Sequence, residues 1–96
     1  MKEDNTQRVG SLLRGFLKAY GLEDQYLQHE IYQRWEELAG KSINLKTRHI
    51  RFRNGLLTVV LSSATLRQEL QMRKTPLLQQ INARLKGSPV QEIEFR

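Results

Sequence analysis

Ten of the chain's sixteen lysines and arginines stand between Lys41 and Lys86, where Glu69 is the one acid. Within that stretch Arg51 and Arg53 alternate with Ile50 and Phe52, so the two guanidinium groups share one face of a strand. Arg48 and His49 lie just upstream, and Arg67, Arg73 and Lys74 follow on a helical segment. Cations gathered in this way neutralise phosphates and release counterions, which gives salt-dependent binding with little sequence preference. The candidate nucleic-acid-binding residues are therefore Arg48, His49, Arg51, Arg53, Arg67, Arg73 and Lys74. A competing account places Glu92 and Glu94 across a sheet from Arg51 and Arg53, in pairs worth ~0.2–1 kcal/mol each. That account leaves most of the positive excess without a partner. Aromatic stacking, the other usual ingredient of single-strand binding, is thin: Phe52 and Phe95 point inward, Trp35 falls on a core seam, and the freer Tyr26 and Tyr32 sit on an acidic helix.

The net charge of +6 is unevenly placed. Residues 1–40 hold five Lys/Arg against seven Asp/Glu, and residues 41–96 hold eleven against three. The basic half suggests a polyanionic partner, set against the ordinary solubility that a charge of this size also provides. On the acidic half, Glu23 and Asp24 suit the positive end of a helix dipole, whereas Glu36 and Glu37 fall at its unfavourable end. Glu30, Glu36 and Glu37 are the candidate contacts to a basic protein partner; solvated charge that the fold tolerates is the simpler account.

Enzyme chemistry finds no foothold. The absence of cysteine excludes disulfides, thiolate metal sites and a thiol nucleophile. His29 and His49 belong to different elements and have no neighbours at metal-ligand spacing, so no metal and no cofactor is expected. No glycine-rich phosphate loop is present. Ser62-Ser63 precedes a helix, and capping accounts for it. The longest strongly apolar run, Leu56 to Leu61, is far short of the ~20 residues of a membrane-spanning helix. The charged MKEDNTQRVG start has no apolar signal core, so a cytoplasmic protein without a membrane association is expected.

These side chains must be positioned by a single small domain. Residues 1–5 are expected to be disordered and residues 6–96 to form the domain, with Thr6 or Asn5 capping the first helix. Val9, Leu12, Leu13, Phe16, Leu17 and Tyr20 form one apolar stripe at helical spacing, assigned to the core in preference to a membrane surface, and Gly21 ends the helix. A second helix spans about Leu22 to Leu38, with Leu27, Ile31, Trp35 and Leu38 as its buried seam and Gly40 as its stop. Ile43 to Arg53 is the first strand. Its parity changes between Ile43/Leu45/Thr47 and Ile50/Phe52, which calls for a bulge near Arg48-His49. Asn54-Gly55 is a type I′ hairpin turn, and Leu57 to Leu61 return as a strand apolar on both parities, either a central strand or one covered on both faces. From Ser63 to about Lys86 a helix runs with Leu66, Leu70, Leu77, Leu78, Ile81 and Leu85 on one side. Pro76 either kinks it or, with Thr75 as cap, starts a second helix. Val90 to Phe95 is a final strand. The expected class is α+β: two N-terminal helices, a β-hairpin, a long or kinked helix and a last strand, giving a small three-stranded sheet packed with helices.

An ordered series of short signals resembles one family. Trp35 is followed by Gly40; then come Asn54-Gly55-Leu56-Leu57-Thr58-Val59, Ser62-Ser63 with Leu66-Arg67-Gln68-Glu69-Leu70, Leu77-Leu78-x-x-Ile81-Asn82, and Ile93-x-Phe95-Arg96. The series resembles the DciA family of bacterial replicative-helicase operators, over roughly residues 6–96. The resemblance implies a fold like the type II KH domain and a non-enzymatic protein that binds DNA, single- or double-stranded, and assists the replicative helicase. Relatives are also described as RNA-binding. The chain lacks the GxxG loop with which KH domains clamp a nucleic-acid backbone, so that mode of RNA binding does not carry over. The alternatives are a protein-interaction adaptor working through the acidic helix with no direct nucleic-acid role, and an RNA-binding protein.

Overall fold

The structure, a computed structural model, describes the backbone of residues 2–96 and the side chains of residues 8–96. In chain order it forms α1 (Lys2–Ala19), α2 (Glu23–Gln33), α3 (Trp35–Ala39), α4 (Lys41–Lys46), β1 (Thr47–Arg53), β2 (Leu56–Leu61), α5 (Ala64–Gln71), α6 (Lys74–Ala83) and β3 (Glu92–Phe95). The strands make one mixed sheet in the order β1-β2-β3, with β1 antiparallel and β3 parallel to β2. The class is the α+β expected from the sequence, and β2 is the central strand.

Asn54 and Gly55 both have positive φ, 49° and 83°, as the type I′ turn requires. The turn is tied on two sides. The Asn54 N–H donates to the Asp24 carboxylate at 2.9 Å, and the Gly55 carbonyl accepts from the N–H groups of Gln91 and Glu92 at 2.8 and 3.1 Å. A Cβ at Gly55 would stand 2.9 Å from the Gln91 side chain. One turn therefore sets the register of the hairpin and receives the start of β3.

Ile50 and Phe52 of β1, Leu57, Val59 and Leu61 of β2, and Ile93 and Phe95 of β3 are buried on one sheet face. Against them pack Ile31 from α2, Trp35 and Leu38 from α3, Leu70 from α5, and Leu77 and Ile81 from α6. The helices form a single layer on that face. The Trp35 Nε1–H donates to Thr47 Oγ1 at 2.9 Å, and that hydroxyl donates to the Ile43 carbonyl at 2.6 Å, so the buried indole keeps its hydrogen bond. The last carbonyls of a helix lack intrahelical partners. Those of α3 are met from α6: Gln80 Nε2 donates to the Leu38 carbonyl at 2.9 Å and Arg84 Nη1 donates to that of Glu37.

Several expectations are corrected. The first helix begins at Lys2, upstream of the Thr6 or Asn5 cap, since no Gly or Pro interrupts the chain before Gly10. The tail expected over residues 1–5 lies, as to its side chains, outside the described residues. The second helix is interrupted at Arg34, whose φ of −107° and ψ of 15° divide α2 from α3. Lys41–Lys46 is helical, although the expected strand opens at Ile43. Gly40 adopts φ 102° and ψ 159°, and the Asn44 N–H bonds the Gly40 carbonyl at 3.0 Å. Ile43 thereby packs on the core while Leu45 stays 71% exposed, so their alternation was never a strand face. The expected bulge is present, between Thr47 and His49. The C-terminal helix is two helices, broken at Met72-Arg73 and not at a Thr75 cap. Pro76 cannot donate to the Met72 carbonyl and its ring would crowd it, so the chain breaks one turn earlier and carries Pro76 in the first turn of α6. Ser63 caps α5, accepting from the Leu66 N–H at 3.1 Å.

The largest correction concerns α1. Its apolar stripe is not in the core: Leu12 is 68% exposed and Phe16 54%, with Val9, Leu13 and Tyr20 exposed beside them. α1 leans on α2 across a groove of about 840 Å³ edged by Leu13, Leu17, Tyr26 and Leu27. Helical periodicity shows that a face is apolar and does not show what covers it.

The link between α6 and β3 is closed by Asn82, whose Nδ2 donates to the Val90 carbonyl at 2.7 Å and whose Oδ1 accepts the Val90 N–H at 3.0 Å. Replacing Asn82 with alanine leaves two largely enclosed backbone groups without partners, and the expected loss is ~1–3 kcal/mol in a denaturant titration with unchanged m-value. An unchanged midpoint would show that water replaces the amide at no cost.

Candidate nucleic-acid interface

The helices cover one sheet face, and the other is open. Alternation along β1 puts His49, Arg51 and Arg53 on that open face, each exposed, because their neighbours Ile50 and Phe52 point to the core. Register pairs place Val60, Thr58 and Leu56 of β2 beside them in turn. The result is a groove of about 590 Å³ lined by His49, Arg51, Arg53, Asn54, the β2 residues and Arg96. In the sequence Arg96 stands only at the end of the Ile93-x-Phe95-Arg96 signal. Its place in the groove follows from the parallel pairing of β3, where the Arg96 N–H bonds the Val59 carbonyl at 2.9 Å.

The cross-strand pairing of Arg51 and Arg53 with Glu92 and Glu94, the competing account of these arginines, does not form. Glu92 and Glu94 neighbour Leu56 and Thr58, so β2 stands between the acids and β1. Two strand spacings amount to roughly 10 Å, about the distance at which physiological salt screens exposed charges. Glu94 is engaged with Arg96 at 3.3 Å. Among the described residues no ion pair involves Arg51 or Arg53.

The other expected residues are distributed differently. Arg48 is the extra residue at the bulge and lines a second pocket, of about 350 Å³, with Tyr32, Glu36, Asn44 and His49. His49 therefore borders both concavities. Arg67, Arg73 and Lys74 belong to the helical layer, and none lines the groove. Lys74 faces instead a shallow cleft beside Glu92 and Ile93 of β3. The seven candidates thus separate into a sheet group and a helical group that the fold does not bring together.

The acidic candidates separate as well. Arg34 Nη1 bonds Glu30 at 2.8 Å, its Nε bonds Glu37 at 2.8 Å, and its Nη2 donates to the Arg84 carbonyl at 2.9 Å. Glu30 and Glu37 are partly neutralised in bridging the α2–α3 break, while Glu36 faces the pocket beside Arg48. The hydrogen bond from Arg34 holds the Glu37 carboxyl below its ordinary value, assisted by the charges of Arg34 and Arg84 and opposed by desolvation. The same contact with Glu37 raises the Arg34 guanidinium further above its ordinary value, with desolvation opposing and Glu30 adding. Among the described residues, no group of three or more His, Cys, Asp or Glu gathers to hold a metal ion, and no helix is long and apolar enough to cross a membrane.

The family model described as "Dna[CI] antecedent, DciA" matches residues 8–95. The chain belongs to the DciA family. That membership, covering nearly the whole chain, indicates a role with the replicative helicase in bacterial DNA replication, and the family is helicase-associated and not a known enzyme family. Comparison with curated proteins and with solved structures returned no match. In this DciA-family domain the matched span includes the β1 and β2 residues of the open basic face and the α1 stripe from Val9 onward.

Because the folded-state value of Glu37 is lowered, its stabilising contribution is present above the ordinary value of 4.5 and is lost as pH falls through the lowered value. Wild type is therefore expected to melt above Glu37→Gln at pH 7, and the gap should close as pH falls through the lowered carboxyl value. A gap that stays constant across that range would show that the Arg34 contact carries no net proton linkage.

Proposed function

We propose that this DciA-family protein is a non-enzymatic, cytoplasmic accessory of the replicative helicase that binds DNA through the open face of its sheet. The observation that carries the reading is the row His49, Arg51 and Arg53, joined by Arg96, on an uncovered sheet face whose arginines on β1 have no acidic partner among the described residues. The cations would hold phosphates, and the neighbouring Leu56, Thr58 and Val60 would exclude water from their flanks. The element order and the mixed three-stranded sheet under one helical layer support the KH-like reading of the fold. With no GxxG segment, the chain would grip phosphate by side-chain charge and not by a backbone clamp.

Arg67, Arg73 and Lys74 would contribute to the general field of the basic half more than to direct contacts. The variant Arg51→Glu/Arg53→Glu is expected to weaken DNA binding at physiological salt and to reduce the slope of log K against log salt by about 1 per residue. A folded double variant with unaltered affinity and slope would remove DNA from the sheet face.

The protein contact falls to a different surface. The acidic trio does not form a continuous patch, whereas α1 presents Val9, Leu12, Phe16 and Tyr20 uncovered. Exposed apolar surface of this kind marks interaction sites. In a helicase-associated family the partner assigned to it is the replicative helicase. Leu12→Asp/Phe16→Asp is expected to abolish capture of the purified helicase while leaving DNA binding and the melting temperature unchanged, since neither residue is buried. Undiminished capture would return the contact to Glu36 and its neighbours, where the alternative adaptor reading places it.

A further inference from the structure

The second pocket adds a component that charge alone does not supply. It opens at the end of β1 where the bulge turns Arg48 aside, and its floor is held by the bond from Trp35 to Thr47 and from Thr47 to the Ile43 carbonyl. Tyr32 stands at its rim with 64% of its surface exposed. Asn44, Arg48 and His49 line it together with Glu36, and among the described residues no side-chain hydrogen bond engages Tyr32, Asn44, Arg48 or His49. An exposed aromatic ring, an uncommitted amide, a guanidinium and a carboxylate in about 350 Å³ fit a planar, polar-edged group.

We propose that this pocket receives one unpaired nucleobase of single-stranded DNA whose phosphates lie along His49, Arg51 and Arg53; the inference rests on the sheet-face reading above. The partition of the strand follows from charge. Glu36 disfavours a phosphate in the pocket and accepts from the exocyclic amine of a base. The groove beyond His49 is lined by cations and favours phosphate. His49 borders both spaces, so a strand held on the sheet reaches the pocket without a gap. Tyr32 supplies the ring face for stacking, which tolerates any base. Asn44 offers both a donor and an acceptor to the base edge. A duplex keeps its bases stacked and paired, so only a single strand satisfies groove and pocket together.

The test is fluorescence anisotropy with two single-stranded oligonucleotides of equal length, one bearing bases and one abasic throughout, on wild type, Tyr32→Ala, Tyr32→Trp and Arg51→Glu/Arg53→Glu. Wild type is expected to bind the base-bearing strand about ten-fold more tightly than the abasic one. Tyr32→Ala should bring the base-bearing strand down to the abasic level and leave abasic affinity unchanged, and Tyr32→Trp should keep the discrimination. The arginine double variant should weaken both strands. Equal affinity of wild type for the two strands, or an equal loss of both on Tyr32→Ala, would overturn the pocket and leave the phosphate face standing. Binding of both strands undiminished by the arginine variant would overturn the phosphate face, and the pocket with it. Tyr32 is exposed and outside the core, and matching thermal melts of the variants confirm that binding and not folding is read.

Discussion

The whole open face of the sheet depends on the register of one hairpin. A strand presents alternate residues to opposite faces, so a one-residue slip of β1 against β2 would turn Arg51 and Arg53 into the core and Ile50 and Phe52 into water. The register is set where Asn54 and Gly55 accept positive φ, and it is held from outside the hairpin by Asp24 on one flank and by the start of β3 on the other. Gln28 adds a further hold, its Oε1 accepting the Phe52 N–H at 2.8 Å along the otherwise free edge of β1. These contacts to α2 also protect that edge from pairing with another chain. The same constraint that builds the core therefore aligns the cations.

The helical layer is joined by charge at its seams and by apolar contact at its centre. Arg34 spans the α2–α3 break and reaches the end of α6, and Arg84 and Gln80 reach back to the final carbonyls of α3. Exposed ion pairs contribute little individually, but here they also satisfy helix ends that would otherwise lack partners. The acids that a linear reading groups as a patch are thus divided between scaffold and surface. Glu30 and Glu37 belong to the seam, and Glu36 alone turns toward the basic end of the sheet.

Two surfaces of opposite character result. One is the open sheet face, basic along β1, with Glu92 and Glu94 on the far strand and Glu36 near its Arg48 end. The other is the apolar side of α1, which leaves the core almost complete without it, since among the described residues the sixteen buried hydrophobic ones all lie between Ile31 and Phe95. Family membership supplies the biological setting, a role with the replicative helicase in DNA replication.

The amino-acid sequence by itself determined the α+β class, the type I′ turn, the bulge, the Ser63 cap and the family, because each is written in short-range pattern or local φ/ψ demand. It also determined that Arg51 and Arg53 share one strand face. Local pattern was not sufficient where two structures share one pattern: Ile43 and Leu45 alternate as readily in a helical turn as in a strand, and the break caused by Pro76 appears four residues before it. Only the tertiary structure decided that β2 separates the arginines from Glu92 and Glu94, that Arg67, Arg73 and Lys74 lie in the helical layer, and that Tyr32 stands beside Arg48 and His49. Those relations join residues far apart in the chain through strand order and helix packing, and nothing in the spacing of the sequence encodes them.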